Sequence, residues 1–560
     1  MFKSVFPGLN QLMNYRRKDL SGDLGAGVIV GVMLIPQGMA YAMLTGVHPV
    51  MGLYAVTIPL LVYCLFASSR HLSVGPVAMG SLIAFTGVSS LAEPGSDAYV
   101  SYIIILTFMV GILRLMVGLL RLGFLVNFLS GAVITGFTSA AAFVIASSQL
   151  NHLLGIAVGY HDYNFQMYYE IIRQLPQVHW LTLAVGLGSI VLLVVLRRWL
   201  PRLPAPIIVV ALSILVVNLF QLDQAGVRIV GEIPQGFPSF SIPPLTVEAI
   251  IQLLPIALTI AFVNFMESTS IAKVIAWKEK YKVNPNQEER AIGLANVIGS
   301  FFSSIPVTGS YSRTAANYQY GGKTILSSLF TFLLITLTLW LFTPLFYGMP
   351  TAVLAAVIIV AVYSLINFAE IKRLFHLKQA DGWSALIAFV VTLLMDIVTG
   401  IVAGLLFSLV VFIWRSANPH IAELGFLTDK GVFRNVNRFP QAKTFPGILI
   451  IRIDARLYFA NMGFLEEKLA ELTSQREEIH TVVLDMSGVN DLDAVALDQL
   501  TEWMVHYRSR GMRMVLAGVK GPVRDLLDRA GWKEKFGEEW SYLSVTHALK
   551  ALGMKLENAM

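Results

Sequence analysis

Charged side chains are scarce in this 560-residue chain, at 14% against 56% hydrophobic residues. Soluble domains carry about 25% charged and 45–50% apolar residues, so an ordinary water-soluble enzyme built on one core is excluded. Cysteine is scarcer still. Cys64 stands alone in an apolar run, which leaves no intramolecular disulfide and no cysteine-clustered metal site. His48, His71 and His152 fall at the ends of apolar runs and read as interfacial residues rather than metal ligands. No P-loop and no nucleophile–base arrangement is present, so neither enzymatic chemistry nor a cofactor is expected. The stretch MFKSVFPGLNQLMNYRRKDL has no apolar core before Leu24, and no cleavable leader is expected.

The charge that exists is unevenly spread. The first 416 residues hold 39 of the 76 charged side chains, and the last 144 hold 37. A large membrane domain followed by a small soluble one is the simplest account. The net charge divides in the same way, +7 before residue 417 and −1 after it. The positive surplus belongs to membrane loops, and the balanced tail offers no basic face for nucleic acid.

A helix needs about 20 apolar residues to cross a bilayer. The pattern predicts about fourteen spans, near 24–45, 50–68, 76–91, 99–119, 124–150, 179–197, 205–220, 248–273, 289–303, 309–320, 325–347, 351–367, 382–397 and 399–416. The third and tenth are too short to cross, and each follows a Ser-x-x-Pro step, which predicts half-length helices. With the N-terminus in the cytoplasm, 19 of the 23 Lys and Arg fall on cytoplasmic loops, tails and span ends, the bias the positive-inside rule demands. An even span count returns the tail to the cytoplasm. A shift of 230 lays Ser73-Val74-Gly75-Pro76-Val77 onto Ser303-Ser304-Ile305-Pro306-Val307, and Gln37 onto Glu267. Seven spans are odd, so the second half enters from the opposite side. Such a 7+7 inverted repeat with paired broken helices is a transporter signature that places the substrate at the breaks.

The expected domains are a cytoplasmic N-terminal segment 1–23, a transport domain 24–416, a polar irregular linker 417–446 and a small α/β domain 447–555. The last rests on GILIIRIDA, TVVLDM and MRMVLAGV as buried strands alternating with helical stretches.

Nearly all of the 16 acids before residue 417 read as loop or span-end residues, Glu267 being the exception. A carboxylate in mid-bilayer costs about 2.5–3.5 kcal/mol on insertion scales. Either it lines a cavity or proton path, or it is a structural group bonded to Ser268 or Ser270. The broken segments offer a second feature. If both helices start near the midplane, their free N–H groups and positive dipole ends form an anion site without a fixed cation. Gly75 and Pro76 suit an unwound stretch, Ser310 and Ser312 supply hydroxyls, and Arg313 is read as the only positive charge near that level. The competing reading is that Gly and Pro merely permit kinks and tight packing. Gln37 and Tyr41, four apart on one helix face, either line the same cavity or bridge helices and fill space.

Together, IPQGMAYAMLTGVHPVMGLY, GAVITGFTSAAAFVIASSQL, FMESTSIAK, SIPVTGSYSRTAAN followed by GGKT, and the α/β tail resemble the sulfate permease (SulP) family across nearly the whole chain. That family includes sulfate, bicarbonate and dicarboxylate transporters and the animal anion exchangers. The resemblance implies a polytopic α-helical fold of fourteen helices with a core domain moving against a gate domain, a homodimer, and a tail of STAS type. It implies an anion site from Gln37, Tyr41, Pro76, Val77, Ala78, Ser310, Tyr311, Ser312 and Arg313, with Glu267 coupling to protons. Sodium–bicarbonate symporters of the family carry Asp at the Glu267 position, which argues against sodium here. In phosphorylated STAS domains an Asp is followed by Ser or Thr, whereas here Asp493 is followed by Ala494, with Ser487 nearby. A phospho-switch is therefore not expected, and the tail is expected to serve assembly, trafficking or a cytoplasmic partner.

The expected function is secondary active transport of a small inorganic anion, sulfate with proton symport, by alternating access in a plasma (inner) membrane. Bicarbonate or a dicarboxylate such as fumarate or succinate, and a passive anion channel, remain the alternatives.

Overall fold

The computed structural model describes residues 6–123, 131–159, 161, 163–200, 204–363, 365–474, 476 and 478–554. The predicted start of the fifth span at 124, the first five residues of the N-terminal segment and the end of the tail domain at 555 lie outside the described residues. The chain forms two compact units, Met1–Ser408 and Leu409–Met560.

The first unit is helical. Among the described residues nine helices are long and apolar enough to cross a membrane, and each of the fourteen predicted segments holds helix. Proline sets several starts, in Pro49–Tyr54, Ile58–Phe66, Ala205–Phe220 and Pro285–Ser300, where its missing N–H costs nothing. Side-chain caps set others, with Ser96 before Asp97–Leu119 and Thr246 before Val247–Lys278. Among the described helices that were not expected are Asn164–Gln174 and Phe368–Leu377. Both are too polar to register as apolar runs.

Backbones meet where glycine allows it. A Cβ on Gly52 would lie 1.9 Å from the Gly38 carbonyl oxygen, and one on Gly136 would lie 1.9 Å from that of Ala385. Small residues at helix crossings are what membrane packing favours. Gly136→Ala is therefore expected to destabilise by more than the about 1–3 kcal/mol of ordinary overpacking. Gly25→Ala, with nothing within 4 Å of its added methyl, is expected to be neutral or mildly stabilising. Thermal unfolding midpoints in detergent compare the two.

The third and tenth segments are short, as predicted. Ala78–Val88 has eleven residues and Tyr311–Gln319 nine, about 16 and 14 Å at 1.5 Å per residue, or half a hydrocarbon core. Each follows a two-residue strand, β1 (Val74–Gly75) and β2 (Thr308–Gly309), and the strands pair antiparallel, Val74 with Gly309 and Gly75 with Thr308. The inverted relation is thus visible in the backbone, but the predicted shift of 230 is corrected locally. β1 corresponds to β2 and Ala78 to Tyr311, three or four residues further on. Pro76 follows its strand whereas Pro306 precedes its own, so the shared Ser-x-x-Pro spelling is not the structural match.

The second unit is a six-stranded sheet flanked by helices. Its strands are β3 (Ile421–Leu427), β4 (Val432–Asn435), β5 (Ile448–Ile453), β6 (Thr481–Asp485), β7 (Arg513–Ala517) and β8 (Ser541–Tyr542), in the order β4-β3-β5-β6-β7-β8. β5 to β8 are parallel, and β3 joins β5 antiparallel. The period-two rule divides the sheet. Leu449, Ile451, Leu484 and Leu516 pack with Leu465, Leu500 and Trp532 on one face, while Ile450, Val483 and Val515 pack with Leu549 on the other. Parallel strands buried on both faces read as unbroken apolar runs, which is why β5 to β7 were legible. Residues 417–446 are not an irregular linker, because they contain β3 and β4. β4 lies at the sheet edge and is little buried, so it lacks the apolar run that would reveal it.

Candidate functional site

The β1–β2 crossing organises the site. Ser310 N–H donates to the Ser73 carbonyl at 3.0 Å, and each half-helix follows one of the two antiparallel strands. Their N-caps, Val77 and Ser310, are extended and make no side-chain cap, and neither first turn holds an acid. Two sets of first-turn N–H groups are thus left without the usual compensation. Val77, Ala78, Ser310, Tyr311 and Ser312 from these turns border a cavity of about 590 Å³, together with Tyr41, Glu267 and Ser270.

Of the ten predicted site residues, seven line this cavity: Tyr41, Val77, Ala78, Glu267, Ser310, Tyr311 and Ser312. Gln37, Pro76 and Arg313 lie behind its wall. Gln37 is buried, with Oε1 unpartnered among the described residues. Arg313 is fully buried; Nη1 donates to the Pro76 carbonyl at 3.0 Å, while Nε and Nη2 have no hydrogen-bond partner among the described residues. A Cβ at Gly75 would stand 3.3 Å from Arg313 Nη2, so glycine there makes room for the guanidinium beneath the strands. Its charge reaches the cavity through the low-dielectric wall rather than by contact.

Glu267 sits on Val247–Lys278, and no hydrogen bond among the described residues ties its carboxylate. The structural alternative named hydroxyls such as those of Ser268 or Ser270. The Ser268 hydroxyl is instead committed to the Asn264 carbonyl at 2.7 Å and accepts from Arg114, while Ser270 lines the cavity.

Two sequence readings are corrected. Arg313 is not the only cation at this level, because fully buried Arg114 donates to Thr308 Oγ1 in β2 at 2.9 Å. Nor is Glu267 the only buried acid. Glu289 pairs with Arg114 at 2.7 Å, both side chains inaccessible to solvent. Glu288 accepts from Tyr63 Oη, Ser68 N, Ser68 Oγ and Ser69 N at 2.6–2.7 Å. Asp23 accepts from Lys323 N, Thr324 N and Thr324 Oγ1. Each buried carboxylate is paired, as burial of charge requires: Glu288 and Asp23 with distant loop segments and Glu289 with a neighbouring helix. Thr135, Thr138 and Asn367 also line the cavity. The two threonines lie in the GAVITGFTSAAAF stretch, three apart on a helix, a polar pair in an apolar run that could have been singled out.

The site thus offers dipoles, hydroxyls and the Glu267 carboxylate to a bound group. Among the described residues no cluster of three or more His, Cys, Asp or Glu could hold a metal.

Comparison with known proteins identifies the family and the fold. The sulfate permease family pattern matches residues 20–391 and the STAS domain pattern residues 439–548. The chain is 37% identical to the "probable sulfate transporter 4.2" of Arabidopsis thaliana, over 98% of this chain and 83% of that one. It is 33% identical to a "probable sulfate transporter" of Mycobacterium tuberculosis, over 97% of both. The murine solute carrier 26 member A9 anion transporter, solved in the inward-facing state, superposes with a TM-score of 0.90 at 25% identity, over 98% of this chain and 94% of that one. The transmembrane domain of a cyanobacterial bicarbonate transporter shares the fold, with a TM-score of 0.60 at 21% identity over 70% and 98%. The chain therefore belongs to the sulfate permease family, a family of multi-pass membrane anion transporters rather than enzymes, and carries a STAS domain at its C-terminal end.

Proposed function

We propose that this chain is a secondary active transporter that carries sulfate together with protons by alternating access. The observation that supports this most is the meeting of two uncapped half-helix N-termini in one cavity with a carboxylate that no hydrogen bond among the described residues ties. Helix N-termini bind anions through oriented N–H groups and the dipole, so the site reads charge and size. The substrate-binding set is Gln37, Tyr41, Pro76, Val77, Ala78, Ser310, Tyr311, Ser312 and Arg313, with Gln37, Pro76 and Arg313 acting from behind the wall. Glu267 takes up the coupled proton, so the divalent anion does not share the cavity with a second negative charge.

The names of the Arabidopsis and Mycobacterium relatives favour sulfate. The inward-facing state of the murine relative favours alternating access, in which this family's core domain moves against its gate. The protein works as a homodimer in the plasma (inner) membrane with both termini in the cytoplasm, and its STAS domain serves assembly or binds a cytoplasmic partner.

Uptake of labelled sulfate into proteoliposomes, with bicarbonate, fumarate and succinate as competitors, tests the substrate. Saturable sulfate uptake that excess fumarate, succinate and bicarbonate leave nearly unchanged is expected. Uptake blocked more strongly by one of those anions than by unlabelled sulfate would give that anion the site.

A further inference from the structure

We propose that Arg114, held by Glu289, is a positioning residue for transport. It locks the turn that carries Glu267 to the strand leading into the Tyr311 half-helix, so the coupling carboxylate and one wall of the anion site move as one body. The proposal rests on the reading of Glu267 as the coupling residue.

Arg114 projects from Asp97–Leu119 into a fully buried position. Its Nε and Nη2 take both oxygens of Glu289, on Pro285–Ser300, at 2.7 and 2.8 Å. That fork alone balances the charge. The guanidinium reaches further, Nη1 to Thr308 Oγ1 at 2.9 Å and Nη2 to Ser268 Oγ at 2.8 Å. Both hydroxyls then donate to one acceptor, the Asn264 carbonyl oxygen, Thr308 at 3.2 Å and Ser268 at 2.7 Å. The result is a closed ring in which one cation feeds two hydroxyls that converge on one carbonyl.

The ring's members decide what it does. Ser268 adjoins Glu267. Thr308 lies in β2, two residues before Ser310, the N-cap of the Tyr311 half-helix. Asn264, Ser268, Thr308, Arg114 and Glu289 are all buried, so water does not compete for these bonds. A planar five-donor fork can satisfy a carboxylate and two hydroxyls at once, which an ammonium on a flexible stem cannot do in one geometry. Four segments distant in sequence are thereby held to one reference point. The distance from Glu267 to the first turn of the Tyr311 helix is set by it.

Arg114→Gln alone would strand Glu289 and risks misfolding, so the test cuts the ring at its hydroxyls. Initial rates of labelled-sulfate uptake into proteoliposomes are measured against sulfate concentration and against pH for wild type, Thr308→Val and Ser268→Ala, at matched amounts of folded protein. Thr308→Val keeps the shape and the ion pair but releases the strand. Its KM is expected to rise about ten-fold, the worth of one hydrogen bond to a charged group, with the pH midpoint of uptake unmoved. Ser268→Ala releases the Glu267 turn, and its pH midpoint is expected to move by about half a unit or more, with KM within about two-fold of wild type. If Arg114 is only scaffold, both variants keep wild-type KM and pH midpoint per folded molecule, and the proposal is overturned. A wild type whose uptake ignores pH removes the coupling reading alone, and the KM of Thr308→Val then decides the positioning proposal by itself.

Discussion

Glu267→Gln is expected to abolish proton-driven accumulation while leaving downhill anion exchange in place. The reason is electrostatic. Two like unit charges at about 4 Å repel by about 4 kcal/mol at an effective dielectric of 20, roughly three orders of magnitude in population. A divalent anion in the 590 Å³ cavity beside an ionised Glu267 meets at least that penalty, so under the proposed coupling the loaded carrier is expected to cross with the carboxylate protonated. Glutamine keeps the shape and is permanently neutral. The anion then crosses without a proton, and the link between the two gradients is cut. With the membrane potential clamped at zero, an inward gradient of two pH units drives about hundred-fold accumulation per coupled proton. The variant is expected to reach an accumulation ratio of about one while its sulfate–sulfate exchange remains measurable. Full gradient-driven accumulation in Glu267→Gln would remove the residue from the coupling step.

The second large effect concerns stability. Arg114 and Glu289 are both wholly buried and make a bidentate pair. Removing one partner of such a pair leaves an uncompensated charge and costs about 3–5 kcal/mol, whereas replacing both by apolar residues of similar volume is often neutral or stabilising. Arg114→Met and Glu289→Leu are each expected to lower the thermal unfolding midpoint in detergent severely, and the double variant to recover most of the loss. Two single losses that simply add in the double would mean the charges do not depend on each other. The recovered double variant would still lack the bonds to Thr308 and Ser268, so restored stability with impaired uptake is the expected combination.

These buried acids also show where the sequence stops being informative. Hydropathy revealed the spans because every residue of an apolar run contributes to the same signal. The half-helices were visible for the same reason, as runs too short to cross. Burial of Glu288 and Glu289 leaves no such trace, since both stand at the start of a helix where acids are ordinary. What buries them are partners such as Arg114, 175 positions away, and Ser68, 220 positions away, and no local period records those. The repeat shift failed locally for a related reason. Identical letters around Pro76 and Pro306 fall on opposite sides of their strands, so spelling and backbone geometry diverge. β3 (Ile421–Leu427) is apolar and mostly buried, but it is short and lies in a polar stretch, while β4 (Val432–Asn435) is little buried and joins the sheet through strand pairing. At the site, Glu267 stood out because a carboxylate in an apolar run is costly, whereas Arg313, expected among the site residues, does not line the cavity, which only packing shows.

The central claim is that sulfate and protons cross together through this site. Its most direct test is a pH-sensitive dye sealed inside proteoliposomes, with sulfate added outside at equal pH and the membrane potential held at zero. Coupled symport predicts that the inward sulfate gradient acidifies the lumen, and that Glu267→Gln vesicles take up sulfate without acidification. Sulfate entry with no change in luminal pH in the wild-type protein would contradict the account.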